Sequence, residues 1–204
     1  CASMQSLGSP SFADFHAWSV RNKPAFWQQV LDRLGIVFTK PPETILDIAN
    51  GVEQPRWFSG AEMNIIDSCF TAAADKSAII SRSEDNEILS VITYGELERL
   101  VNRIANGIRE HGIEPETPIA LYMPMTVECV AAYLGIIRAR CVAVSIADSF
   151  SAIEVNTRMR IAGARHIITV DHYIRAGKTM TMYDKVLEAD VPVAIVIPSK
   201  DSTV

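Results

Sequence analysis

The sequence predicts an α/β protein: an incomplete doubly wound parallel sheet, preceded by a helical N-terminal extension and a small hairpin. Three observations carry that expectation. The runs Ile119–Tyr122, Val142–Ile146, His166–Val170 and Val193–Ile197 are short and apolar on both faces, as strands covered on both sides of a sheet are. Helical patterns fill the gaps between them, so strands alternate with helices and run parallel. Right-handed crossovers then wind helices onto both faces of the sheet.

The elements follow in chain order. Residues 10–35 are helical and dense in aromatics, with Ser11-x-x-Asp14 as a capping-box variant. Trp27, Val30, Leu31 and Leu34 fall on one helical face, and Gly35 stands where a left-handed cap belongs. Pro41, Pro42, Pro55 and Gly60 make residues 36–62 an extended, wrapping segment, and Asn64 to Ala74 reads as helix. Ala78–Ser81 and Ile88–Thr93 are β-type runs around a turn at Glu84-Asp85-Asn86, which predicts a hairpin. Thr93-Tyr94-Gly95-Glu96 is a capping box. Leu97, Leu100, Val101, Ile104, Ala105 and Ile108 form the apolar face behind it, and His111-Gly112 closes the helix. Val127, Val130, Leu134 and Ile137 predict the next helix, between the first two strands. Ser151-x-x-Glu154 caps another, running to about Ala162, and Tyr183–Ala189 precedes the last strand.

Bulk properties exclude several classes. The formal net charge of −5 argues against a duplex nucleic-acid binder, which needs a basic face. No apolar run approaches the ~18 residues of a membrane span. Cys1, Cys69, Cys129 and Cys141 form no CxxC pair and read as reduced, largely buried thiols. The start, CASMQSLGSP, has neither the basic nor the apolar region of a signal peptide, and the initial Cys marks a trimmed or incomplete chain.

The ten glycines are dispersed, no two closer than five residues, whereas a phosphate cradle needs them clustered so that backbone N–H groups converge. Neither a P-loop nor a dinucleotide fingerprint is present. His16, His111, His166 and His172 have no ligand spacing, so no metal site is expected, and His166 reads as a hydrogen-bonded structural residue. No GxSxG elbow occurs, and no catalytic residue is assigned. Arg175-Ala176-Gly177-Lys178 is the notable cationic feature. It falls in the loop after a strand's carboxyl end, where α/β sheets bind ligands, and its Arg and Lys suit either a phosphate or a solvated surface. Asp148, Ser149 and Ser151 either line a pocket mouth or end one strand and start the next helix.

ITYGELERLVNRIANGI, IALYMPMTVECVAAYLGIIRA, FSAIEVNTRMRIAGARHIITVD and IRAGK, in that order, resemble the acyl-activating, acetyl-CoA synthetase-like enzymes of the adenylate-forming superfamily. Arg56–Ile65 resembles the N-terminal extension of the acetyl- and propionyl-CoA synthetase branch. SFADFHAWSV, FWQQVLDRLGI and VSIADSFS are most similar to the plant peroxisomal acyl-activating enzymes of that branch.

The resemblance implies a ligase that uses ATP, Mg2+ and CoA to convert a small carboxylic acid through an acyl-adenylate to an acyl-CoA. It implies a wrapping extension over residues 1–70 and the first part of the large adenylation domain over 71–204, stopping before the ATP phosphate loop. This chain is then the N-terminal portion, inactive alone, and its cofactor contacts are at most to CoA, through Arg175 and Lys178 on the nucleotide phosphate. Two other readings stay open: a non-catalytic CoA- or protein-binding module, and an adenylate-forming enzyme that does not use CoA. The peroxisome is the implied compartment, with the cytoplasm as the alternative and no targeting signal visible. An exposed sheet edge at Val193–Ile197 is expected to make the isolated chain marginal or self-associating.

Three positions depart from the family's pattern. Ala147-Asp148-Ser149-Phe150-Ser151 replaces a Phe-Gly-Gly-Phe-Ser segment, and Asp148 would repel a polyanionic cofactor unless it faces away. Lys178 stands where Arg is typical, which loses a bidentate contact. Arg140 stands where Gly is usual, and would be strained if that position needs positive φ.

Overall fold

Pro24 divides the expected N-terminal helix in two. The computed structural model, which describes residues 11–84 and 88–199, has α1 at Phe12–Arg21 and α2 at Lys23–Leu34. A proline inside a helix removes one backbone donor and its ring clashes with the preceding turn. At the start of a helix neither penalty applies, so Pro24 begins α2 instead of kinking a longer one. Ser11 caps α1 by accepting from the Asp14 N–H at 3.1 Å, and Gly35 caps α2 in the left-handed conformation. The expected face of Trp27, Val30, Leu31 and Leu34 lies on α2, but no residue of α1 or α2 is buried.

The described residues form two compact units, with the boundary between Thr71 and Ala72. The first holds α1 and α2, the antiparallel pair β1 (Thr44–Asp47) and β2 (Arg56–Ser59), and the short α3 (Ile65–Cys69). The stretch read as extended therefore contains a strand pair, continued by a bridge between Lys40 and Glu62. The helix expected from Asn64 to Ala74 ends at Cys69. Aromatic rings link the elements. Phe15 meets Phe26, Phe26 meets Trp27 edge-on, and Trp27 meets Trp57 edge-on with centroids 6.0 Å apart.

In the second unit β3 (Ser77–Ser81) and β4 (Ser90–Thr93) pair antiparallel as expected, although the predicted turn lies partly outside the described residues. The capping box forms in full and starts α4 (Tyr94–Glu110). Leu97, Val101, Ala105 and Ile108 of the predicted face are buried. After α4 come β5 (Pro118–Tyr122), α5 (Val127–Arg138), β6 (Val142–Ile146), α6 (Ala152–Ala162) and β7 (His166–Val170). An unpredicted hairpin follows, β8 (His172–Arg175) and β9 (Lys178–Thr181), then α7 (Met182–Glu188) and β10 (Val193–Ile197).

The main sheet has the order β10-β7-β5-β6, and every pair in it is parallel. The connection from β5 goes outward to β6 on one side, and the next returns to β7 on the other. Ile119, Ala120, Tyr122, Ile167 and Ile168 are 0–1% exposed and form the sheet's centre. Burying each such isoleucine contributes roughly 1.5–3 kcal/mol. Cys129 and Cys141 belong to the same core, and burial pushes both thiols above their ordinary pKa.

His166 opens β7 as expected, but its Nδ1 is buried without a hydrogen-bond partner among the described residues. Burial, with Arg165 nearby, lowers its pKa and favours the neutral ring. This corrects the expectation of a hydrogen-bonded histidine at that nitrogen.

Arg140 does occupy the left-handed region, with φ of 66°. It follows the last turn of α5, where its carbonyl accepts from the Glu116 N–H at 2.7 Å. A side chain there costs about 1 kcal/mol through its Cβ. Arg140→Gly is therefore expected to raise the melting temperature by roughly 2–4 °C. A thermal scan showing an unchanged or lower midpoint would contradict the strain.

Candidate functional site at the carboxyl end of the sheet

β5 and β7 are neighbours whose following segments leave in opposite directions. That divergence makes the carboxyl ends of these two parallel strands the topological switch point, the usual ligand position of doubly wound sheets. Residues 123–126 follow β5, 147–151 follow β6, and the β8–β9 hairpin follows β7.

The loop after β6 is anchored from below by Tyr122, the last residue of β5. Its ring is fully buried, and its hydroxyl donates to the Phe150 carbonyl at 2.7 Å and lies 3.3 Å from that of Asp148. Thr169, also fully buried, donates to the Tyr122 carbonyl at 2.8 Å and ties β7 to the same point. Arg158 stacks over the Phe150 ring at 3.7 Å. Ser151 then caps α6 in a complete capping box with Glu154. Ser151 starts the helix, as the second reading of this segment expected, and Asp148 faces the hairpin.

Asp171 fixes the base of that hairpin. One carboxylate oxygen accepts from the backbone N–H of His172 at 2.8 Å and of Ser199 at 2.9 Å. Its carbonyl accepts from the N–H groups of Met182 and Tyr183 at the start of α7. The predicted cationic residues sit at the hairpin's tip, correcting their placement in a plain loop. Arg175 and Lys178 are directly paired across it, with Ala176 and Gly177 as the turn. Both turn residues have positive φ, 51° and 70°, the pattern of a two-residue hairpin turn. Directly paired residues of antiparallel strands share a face, so the two cations project to the same side.

Asp148 does not face away from them. Its Oδ2 accepts from the Tyr173 hydroxyl at 3.0 Å and lies 3.6 Å from Nη1 of Arg175. The Tyr173 hydroxyl and the Asp148 carboxylate together hold the Arg175 guanidinium above its ordinary pKa. On the turn itself, the Ala176 N–H donates to Glu84 at 2.5 Å. Tyr173 carried no sequence signal beyond its place in the alternating run His172–Arg175.

Chemically, the arrangement is a pair of cations at one hairpin tip, partly neutralised by Asp148. Arg175 and Lys178 fit a phosphate group. The glycines are dispersed through the sequence instead of clustered as a phosphate cradle requires. Among the described residues no group of three or more His, Cys, Asp or Glu side chains could hold a metal ion. None of the described helices is long and apolar enough to cross a membrane.

Residues 12–69 match the family described as acetyl-coenzyme A synthetase N-terminus, and residues 69–203 match that described as AMP-binding enzyme. A hexanoyl-CoA synthase of Cannabis sativa is 39% identical over 203 residues, which are 95% of this chain and 28% of that protein. The probable acyl-activating enzyme 17, peroxisomal, of Arabidopsis thaliana is 39% identical over 201 residues, with the same two coverages. The structure of an acetoacetyl-CoA synthetase from Streptomyces lividans superposes on 96% of this chain and 31% of its own, with a TM-score of 0.86 and 27% identity. The chain thus spans less than a third of the length of these relatives.

Proposed function

The chain belongs to the AMP-binding enzyme family, and from that membership we propose that it forms the N-terminal part of an ATP-dependent acid–CoA ligase. Residues 1–70 are the wrapping extension and residues 71–204 the first part of the large adenylation domain. In the complete ligase a carboxylate oxygen attacks the α-phosphate of ATP and displaces pyrophosphate. The CoA thiol then attacks the carbonyl of the acyl-adenylate, and AMP leaves.

The observation that carries this reading is the order of the two family matches: residues 12–69 to the synthetase N-terminus and 69–203 to the AMP-binding enzymes, without a gap. The extension also favours a CoA-using ligase over an adenylate-forming enzyme that uses another acceptor. Within this chain Arg175 and Lys178 are the residues assigned to CoA, on its nucleotide phosphate. The substrate is a carboxylic acid of the acyl type, and the compartment we assign is the peroxisome, on the printed names of two Arabidopsis relatives.

The scattered glycines, and the lack of a metal-holding cluster among the described residues, predict that these 204 residues alone do not form the acyl-adenylate. Pyrophosphate release is measured with ATP, Mg2+ and acetate, butyrate or longer acids. The expected result is no release above the protein-free control. Robust turnover would overturn the assignment of the ATP chemistry to residues outside this chain.

A further inference from the structure

We propose that Asp148 is a built-in competitor at the phosphate-binding edge, a carboxylate that occupies Arg175 and sets how strongly this chain distinguishes CoA from its 3′-dephospho form. The inference rests on the assignment of Arg175 and Lys178 to the nucleotide phosphate, and adds a residue that regulates that contact.

Four observations support it. First, the Arg175–Asp148 approach of 3.6 Å joins an arginine whose side chain is 59% exposed to a carboxylate that is only 26% exposed. The carboxylate is the fixed partner. Its loop is pinned by the buried Tyr122, and its Oδ2 is held by the Tyr173 hydroxyl. Arg175, the more exposed member, is the one that a ligand can reach.

Second, Arg175 and Lys178 are directly opposite across the hairpin. Like charges in that position destabilise a strand pair, and a carboxylate on one of them relieves the repulsion. Third, Glu84 already accepts from the turn's Ala176 N–H, so a second carboxylate stands where a ligand anion would meet the backbone. Two cations and two carboxylates therefore cancel in formal charge at the tip.

Fourth, the segment Ala147-Asp148-Ser149 lies between β6 and the capping serine of α6, and neither the strand's end nor the helix's start uses the acid. The Tyr173 hydroxyl could donate equally to an amide oxygen.

A phosphate dianion must displace Asp148 from Arg175 and approach a charge of its own sign. Exposed pairs of this kind are worth a modest amount, so removing the charge should tighten CoA about 2- to 5-fold. Dephospho-CoA lacks the group concerned and should be unaffected.

The test is calorimetric titration of the full 204-residue chain with CoA and with 3′-dephospho-CoA. Wild type, Asp148→Asn, Asp148→Ala and Arg175→Gln are compared, each with a thermal melt to verify folding. The expected result is a preference for CoA that widens in both Asp148 variants and disappears in Arg175→Gln. A preference that Arg175→Gln abolishes but both Asp148 variants leave unchanged or reduce overturns the competitor role and spares the phosphate site. Equal affinity for the two ligands in all four proteins overturns the phosphate site, and the competitor role with it.

Discussion

Replacing Tyr122 by alanine is expected to cost the protein about 3–5 kcal/mol, the range for truncating a large buried aromatic side chain. The residue ends the central strand β5, is fully buried, and fills the core between the sheet and the loop after β6. Its hydroxyl also satisfies the Phe150 carbonyl at 2.7 Å. Burial pushes the phenol up to about 12, so the hydroxyl keeps its proton and donates across the ordinary pH range. Tyr122→Phe retains the ring and deletes only the donor, and should cost about 1–3 kcal/mol through the unpaired carbonyl. Urea unfolding of the three proteins separates packing from hydrogen bonding. An alanine variant within about 1 kcal/mol of wild type would mean that the core collapses onto the lost volume. A phenylalanine variant as stable as wild type would mean that the loop is held without the hydroxyl.

The sheet was legible because its strands carry the pattern that burial on both faces demands. Ile119–Tyr122, Val142–Ile146, His166–Val170 and Val193–Ile197 are strands in the structure, each extended by at most one residue. The two capping boxes were legible for a similar reason. Thr93 with Glu96 and Ser151 with Glu154 are local, reciprocal hydrogen bonds that need no tertiary partner. Elements that depend on distant partners were not. The β1–β2 pair joins four-residue strands across an eight-residue connection, and its prolines read as loop signals. In the N-terminal segment the aromatic periodicity outweighed the one residue, Pro24, that decides where the helix divides.

The candidate site was half legible. Arg175 and Lys178 stood out by charge, and Asp148 by its departure from the expected glycine-containing segment. Their mutual geometry was hidden by one unusual turn residue. A two-residue hairpin turn favours Asn-Gly or Asp-Gly, because both positions take positive φ. Here Ala176 occupies the first of them at φ 51°, so the run His172–Thr181 lacks the usual turn signature. Without the hairpin there is no reason to place Tyr173 and Arg175, two residues apart on one strand, on the same carboxylate. Arg140 shows the opposite case: its strain was expected from one sequence position and is visible in one dihedral angle.

Gly135→Val should destabilise the protein by about 3 kcal/mol, and Gly135→Ala by about 1 kcal/mol, although both replace a poor helix former. Gly135 lies in α5 where that helix meets α4. A Cβ there would sit 2.7 Å from Cγ2 and 2.8 Å from Cβ of Ile104, and 3.3 Å from the Val101 carbonyl. The Ile104 Cβ is fixed to the backbone, so relief requires the helices to separate. Helix propensity alone favours alanine over glycine by about 1 kcal/mol. Overpacking opposes this with about 1–3 kcal/mol, and should prevail for alanine and dominate for valine. Gly107 in α4 supplies the control, because an added Cβ there meets nothing within 4 Å. Gly107→Ala should therefore stabilise by about 0.5–1 kcal/mol. The clash is isolated by the double variant Gly135→Ala with Ile104→Gly, which removes both opposing Ile104 atoms. Its cost should be smaller than the sum of the two single costs by about 1 kcal/mol or more. Additive costs, or a Gly135→Ala protein as stabilised as the Gly107→Ala control, would show that the two helices do not meet as closely as this packing requires.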